Sequence, residues 1–91
     1  MKFNTTHVWR EKRFSIGVEE ESGKPFVAIP VSNPYVDYEE FYEIDENIFQ
    51  AAPDDIAELE RIVKLCRERK YDSRIFLKPG RLRGDPQLPA E

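Results

Sequence analysis

The first half of the chain alternates apolar and polar positions with a period of two, the pattern of half-buried β-strands. Every second residue from Phe14 to Val18 is apolar, and residues 2–10 show a similar alternation of aromatic and β-branched residues. Two strands are therefore predicted, one over residues 2–10 and one beginning at residue 14. If the first strand is regular, the residues that share one of its faces are Phe3, Thr5, His7 and Trp9.

A third strand is predicted over residues 25–31, after the turn residues Ser22 and Gly23. Glycine can take the positive φ that a tight turn needs, so the second and third strands should form an antiparallel hairpin. A fourth strand is predicted over residues 38–44. The third strand is apolar on both faces, so a single helix would leave one of them uncovered. The residues expected on that uncovered face are Val27, Ile29 and Val31, joined by Phe41.

The second half of the chain changes to a helical period. Between residues 54 and 70, apolar residues recur at spacings of three and four, which predicts a helix with one apolar stripe. Pro53, Asp54 and Asp55 are typical of a helix start, because proline suits the first turn and acidic residues favour the positive end of the helix dipole. The stripe consists of Ile56, Leu59, Ile62, Val63 and Cys66.

These elements predict an α+β fold, in which a meander of four to five antiparallel strands carries one long amphipathic helix on one face. A short helical turn over residues 46–51, capped by Asp45, and a last strand over residues 74–78 complete it. We expect residues 1–78 to form a single domain. Residues 79–91 contain many prolines and glycines without periodicity, so we expect an extended or disordered tail.

Composition narrows the class of protein. The chain has 91 residues, one cysteine, a net charge of −4 and 40% hydrophobic residues. It lacks the run of about 20 apolar residues that a membrane-spanning helix needs. Its first residues, which turn polar at once, do not resemble a signal peptide. We therefore expect a cytoplasmic protein that does not enter a membrane.

Charge is divided unevenly along the sequence. Residues 1–18 carry four basic and one acidic residue, residues 19–60 one basic and thirteen acidic, and residues 61–91 nine basic and four acidic. The middle segment could form an acidic face for a basic partner. The alternative, which we favour, is that folding interleaves the two signs.

Few residues suggest chemistry. His7 is the one histidine and has no ligand pattern around it, so we expect no metal. Cys66 lies on the apolar stripe of the helix, which favours packing over reactivity. The glycines do not form a phosphate-binding loop, so no cofactor is expected. The candidates for binding an anion are Lys78, Arg81 and Arg83, because arginine pairs well with phosphate and carboxylate groups.

We interpret the sequence as a small non-enzymatic binding or regulatory module that acts through protein–protein contacts, as a homodimer. Nucleic acid is not an expected partner at this acidic composition. The predicted contact residues are the aromatic residues near the fourth strand and the apolar face, since aromatic residues concentrate binding energy. They are Tyr35, Tyr38, Phe41, Tyr42, Val27, Ile29 and Val31.

Two other interpretations stay open. The first is an acidic inhibitor or antitoxin-like protein that binds a basic site through residues 37–60. The second is a small enzyme or ligand-binding protein whose pocket forms between subunits, from the fourth strand and the arginines of the tail. Strand order and the specific partner do not follow from the sequence.

Overall fold

The computed structural model describes residues 1–89 and contains an antiparallel sheet with the strand order β1-β2-β3-β4. The strands are β1 (Phe3–Trp9), β2 (Phe14–Glu19), β3 (Lys24–Ser32), β4 (Asp37–Glu43) and a short β5 (Asp85–Pro86) that pairs with β3. The helices are α1 (Glu46–Ala51) and α2 (Ala57–Arg67), followed by a 3₁₀ turn at Asp72–Arg74. The predicted α+β fold is confirmed. Within residues 1–89, neither helix has the length and apolar composition needed to cross a lipid bilayer.

The core lies between α2 and one face of the sheet. Val27, Ile29 and Val31 are fully buried there, in one cluster with the apolar stripe of α2. The prediction that these three residues face away from the helix is therefore wrong. In the register of β3 with β4, Val27 lies opposite Tyr42 and Val31 opposite Tyr38, so all of them share the helix-covered face. Burying each such side chain contributes roughly 1.5–3 kcal/mol.

The opposite face of the sheet, which we call the outer face, carries an aromatic cluster. The rings of Phe3 and Phe41 are stacked with centroids 3.8 Å apart, and Phe26 meets both edge-on at 5.3 and 5.1 Å. Phe76 packs against Phe3 from the segment after the 3₁₀ turn, with centroids 5.4 Å apart. Edge-to-face and stacked aromatic pairs of this kind add about 0.5–1.5 kcal/mol each to their burial.

A β-bulge in β1 divides its side chains between the two faces. The register with β2 shifts between Thr5 and His7. Phe3 consequently joins the outer face, whereas Trp9 packs on Phe14 at the core, with ring centroids 5.0 Å apart. The prediction of a single face for Phe3 and Trp9 is wrong, because an extra residue in one strand reverses the alternation beyond it.

The long helix is shorter than its predicted range. It begins at Ala57, and the residues around Pro53 form a turn that precedes it. The backbone N–H of Ala57 donates to the Asp55 carboxylate at 3.1 Å. It ends in a Schellman motif, in which the N–H of Lys70 donates to the carbonyl of Leu65 at 2.9 Å. Arg69, the residue in the left-handed position of this motif, has a φ of 62°.

The C-terminal segment runs back over the sheet. The strand predicted over residues 74–78 is reduced to a bridge between Ile75 and Tyr42, with Phe76 donating its N–H to Phe41. β5 then pairs with the end of β3, and Gln87 donates its N–H to the carbonyl of Pro30 at 3.0 Å. Of the tail predicted as extended or disordered, residues 79–89 are described and residues 90 and 91 lie outside the described residues.

Candidate functional site

A buried carboxylate, that of Glu40, lies in the middle of the helix-covered face. Glu40 is 5% exposed and occupies the β4 position opposite Ile29, among apolar neighbours. A buried carboxylate is costly unless it is paired and hydrogen-bonded. Tyr42 donates its hydroxyl to Oε1 at 2.8 Å, and Arg69 donates Nη1 to the same oxygen at 2.6 Å.

Arg83 from the C-terminal segment completes this cluster. Its Nε donates to Oε2 of Glu40 at 2.8 Å, and its Nη2 donates to Oε1 at 3.1 Å. Nη1 and Nη2 of the same guanidinium donate to the two carboxylate oxygens of Asp72, at 2.7 and 2.9 Å. We call these residues the buried ion cluster: Glu40, Tyr42, Arg69, Asp72 and Arg83.

The electrostatics of the buried ion cluster fix its protonation state. The hydrogen bonds from Arg83 hold the pKa of Asp72 below its usual range. Burial, and then the hydrogen bond to Glu40, raises the pKa of Tyr42, so its hydroxyl keeps the proton that it donates. The hydrogen bonds that Arg83 donates to the carboxylates of Asp72 and Glu40 raise the pKa of its guanidinium. Asp72 is therefore held as an anion, Arg83 as a cation and Tyr42 as a neutral hydrogen-bond donor.

This arrangement changes the predicted anion site. Lys78, Arg81 and Arg83 do not converge on one free position, because all three nitrogens of the Arg83 guanidinium donate to groups of the protein itself. Lys78 and Arg81 are exposed. In the part of the chain that the structure describes, neither of these two forms an ion pair, and they lie outside the buried ion cluster.

The predicted aromatic contact residues are separated by the fold. Tyr42 is buried, and Tyr38 accepts the N–H of Gly84 on its hydroxyl at 2.7 Å, so both serve packing within the chain. Tyr35 is 78% exposed in the loop between β3 and β4. Phe41 is half-buried on the outer face. Val27, Ile29 and Val31 lie in the core and offer no surface for contact.

The outer face is not covered by the helices, although Phe26 and Ala28 at its centre are fully buried and Phe3 and Phe41 are half-buried. Its exposed apolar residue is Val8, which is 57% exposed and continues the row of Ser15, Ala28 and Phe41 across the sheet. A cavity of about 230 Å³ opens beside this row. The residues that line it include Val8, Pro30, Arg13 and Glu39, so an apolar floor is bordered by charges of both signs.

Cys66 and His7, the other candidates for chemistry, are placed very differently. Burial raises the pKa of the Cys66 thiol to about 12, as expected of a side chain packed in the core. His7 is exposed, and its Nδ1 lies 3.1 Å from the hydroxyl of Thr6. Residues 1–89 contain no group of three side chains able to hold a metal ion.

Sequence reasoning missed the pairing of Glu40 with Arg69 and Arg83. A signal for it exists, because Glu40 lies between Tyr38 and Tyr42 on the more apolar face of its strand, where an unpaired acid is unfavourable. The partners themselves come from positions 29 and 43 residues away, which local patterns do not connect.

Comparison with known proteins gives no information about function. The chain matches no protein-family model, no curated protein and no solved structure.

Proposed function

We propose that this protein is a small non-enzymatic binding module that makes protein–protein contacts through the outer face of its sheet, and that it forms a homodimer there. The observation that carries the proposal is the outer face itself. Its aromatic cluster and Val8 lie on the side of the sheet opposite α2, and Val8 is 57% exposed. Exposed apolar surface bordered by polar residues is typical of protein contact sites.

The borders of the outer face support a second copy as the occupant. A two-fold interface places the same patch on both subunits, so it must complement itself. Arg13 and Glu39 border the same cavity, and each can meet the oppositely charged residue of a partner across an apolar centre. Partial burial raises the pKa of Glu39 although the residue as a whole is exposed, so a basic partner residue would favour its charged form.

Three groups that could perform chemistry, Glu40, Asp72 and Cys66, are engaged in the fold, which favours a binding role over the enzyme alternative. Glu40 and Asp72 are paired with arginines, and the thiol of Cys66 is packed in the core. The Arg83 side chain that the enzyme alternative requires in a shared pocket is the centre of the buried ion cluster.

The acidic-inhibitor alternative receives less support, because ion pairs interleave the charges of the chain. Glu60 pairs with Lys12 at 3.2 Å, and Asp45 pairs with Arg74 at 3.4 Å. Basic residues from both ends of the sequence thus neutralise part of the acidic middle segment. We place the protein in the cytoplasm, as a proposal that follows from its composition.

Light scattering on the purified protein over a range of concentrations tests the proposed dimer. We expect a mass twice that of one chain, which Val8→Glu reduces to the single-chain mass because a charge enters the apolar patch. Val36→Glu is the matched control, since Val36 is 55% exposed in the β3–β4 loop, and it should leave the dimer unchanged. A single-chain mass at all concentrations would refute the homodimer, and equal effects of both variants would refute the assigned face.

A further inference from the structure

The free edge of β1 borders the outer face and shares Val8, Arg13 and one cavity with it, but it presents backbone groups and not an apolar face. Among the described strands, β1 pairs with β2 alone, so its second edge presents backbone donors and acceptors without a partner strand. Folded proteins protect such edges with charges, prolines or bulges in the strand. Between Lys2 and Arg10, β1 has no charged residue and no proline, so the bulge is the protective feature within the strand. Its bulge at Thr5–His7 leaves the residues from His7 to Trp9 as a regular stretch open to another strand.

Recesses for side chains flank this open stretch. Val8 and Trp9 line two cavities, one of about 230 Å³ towards the outer face and one of about 330 Å³ beside the β1–β2 turn. An extended segment that adds to a sheet edge directs its side chains alternately to the two sides of the sheet. Backbone hydrogen bonds then give affinity, while pockets for alternate side chains give specificity.

The turn after β1 favours an acidic partner, because Arg10 and Arg13 outnumber Glu11 there and Lys12 is paired with Glu60. Arg10 and Arg13 are exposed in the β1–β2 turn, and within residues 1–89 neither makes an ion pair. The turn is held in place by Arg67 of α2, whose Nη2 donates to the carbonyls of Lys12 at 2.7 Å and Arg13 at 3.3 Å. The two guanidiniums therefore extend from a fixed backbone next to the open strand.

We propose that the β1 edge binds an extended acidic segment of a partner protein, which pairs antiparallel with residues 7–9 and places its acidic side chains beside Arg10 and Arg13. A second β1 strand fits less well, because β1 contains no acidic residue that could pair with Arg10 or Arg13 of the other copy. This inference deepens the proposed function by naming a class of partner. It rests on the binding role and does not require the dimer.

A peptide titration followed by NMR tests the edge. The probe is a capped peptide of about eight residues, the length of an ordinary strand, with two aspartates in its first half and alternating valine and threonine after them. We expect chemical-shift changes centred on the amides of residues 7–10, and affinity that falls as salt rises. N-methylation of alternate peptide residues should abolish binding, because it removes the donors that pair with the edge.

Charge variants distinguish peptide binding at the β1 edge from nonspecific electrostatic attraction to the protein. Arg10→Gln with Arg13→Asn should weaken the peptide by several-fold to about tenfold, the effect of losing two exposed ion pairs. Asparagine is chosen because residue 13 has a φ of 60°, which asparagine tolerates. Arg81→Gln removes an exposed arginine elsewhere and should leave the affinity unchanged.

Several results would overturn the inference. These are no binding at millimolar peptide, equal binding of the N-methylated peptide, equal binding of a peptide with lysine in place of aspartate, or tighter binding of a single-stranded oligonucleotide. The outcome is separable from that of the proposed dimer. A monomeric protein that binds the peptide at β1 would refute the dimer and support the edge, whereas a dimer that ignores the peptide would do the reverse.

Discussion

The Arg83 guanidinium binds the buried carboxylate of Glu40 through two hydrogen bonds, at 2.8 Å from Nε and 3.1 Å from Nη2. This contact joins the C-terminal segment to the centre of the sheet, 43 residues earlier in the chain. It also explains why a segment without periodicity takes a defined position: Arg83 joins Arg69 and Tyr42 in compensating the buried charge of Glu40.

Removal of Arg83 should destabilise the protein strongly. Arg83→Met leaves Glu40 and Asp72 without their shared cation, and we expect a loss of about 2–4 kcal/mol in the free energy of unfolding. Urea denaturation measures this loss. The control is Arg81→Met, which replaces an exposed arginine two residues away. It should change the free energy of unfolding by less than about 0.5 kcal/mol. Equal effects of the two substitutions would show that the buried ion cluster does not hold the segment.

The left-handed conformation of Arg69 predicts an order of stability between two variants. Both Arg69→Ala and Arg69→Gly lose the ion pair with Glu40, but glycine adopts a φ of 62° without the steric cost that alanine carries. We expect the glycine variant to be more stable than the alanine variant by about 1 kcal/mol. Thermal and urea melts of the pair check this, and a more stable alanine variant would contradict the Schellman motif at residue 69.

Glu19 should make stability depend on pH in the acidic range. Its carboxylate accepts backbone N–H groups of Lys2, Glu21 and Ser22, and these bonds lower its pKa from 4.5 to about 2. Because the folded-state pKa lies below the unfolded value, the contribution is complete above pH 4.5 and is lost as pH falls towards 2.

Comparison with Glu19→Gln isolates that contribution. The difference in free energy of unfolding between wild type and Glu19→Gln should shrink as pH is lowered through this window, measured by urea denaturation at several pH values. Glu20→Gln, on the exposed neighbouring residue, serves as the control. A difference that stays constant with pH would mean that the charge of Glu19 does not stabilise the turn.

Cys66 should be protected from thiol reagents in the folded protein. It is fully buried, and burial raises the pKa of its thiol to about 12. The thiolate is the reactive species, so at mildly alkaline pH the reaction should be at least roughly a thousandfold slower than in the unfolded chain. Ellman's reagent with and without denaturant measures the ratio, and rapid reaction of the native protein would contradict the buried position of Cys66.

The sequence predicts where the helices and strands lie along the chain better than it predicts which side of the sheet each side chain is on. β2 and the stripe of α2 are predictable because their apolar residues follow one period. The orientation of β3 is not, because residues on both of its faces are apolar and its register with Tyr38 and Tyr42 decides the assignment. The bulge in β1 has no local signal, yet it moves Phe3 and Trp9 to opposite faces.

Long-range pairing limits the prediction of the candidate sites. Arg83 lies in a segment whose sequence is typical of an exposed anion-binding site. Nothing near it in the sequence indicates that it pairs with Glu40 and Asp72. The outer face is likewise assembled from four distant phenylalanines, of which the sequence connected Phe41 alone to a contact surface. Local periodicity does not report contacts between such distant positions.

The most direct test of the central claim is an isotope-filtered NMR experiment on a mixture of ¹³C-labelled and unlabelled protein. If the outer face joins two copies, intermolecular NOEs should connect Val8 and the rings of Phe3, Phe41 and Phe76 with protons of the other copy. Intermolecular NOEs confined to α2 or to the β3–β4 loop, or their absence at concentrations well above any dissociation constant measured by light scattering, would contradict the outer face as the contact surface.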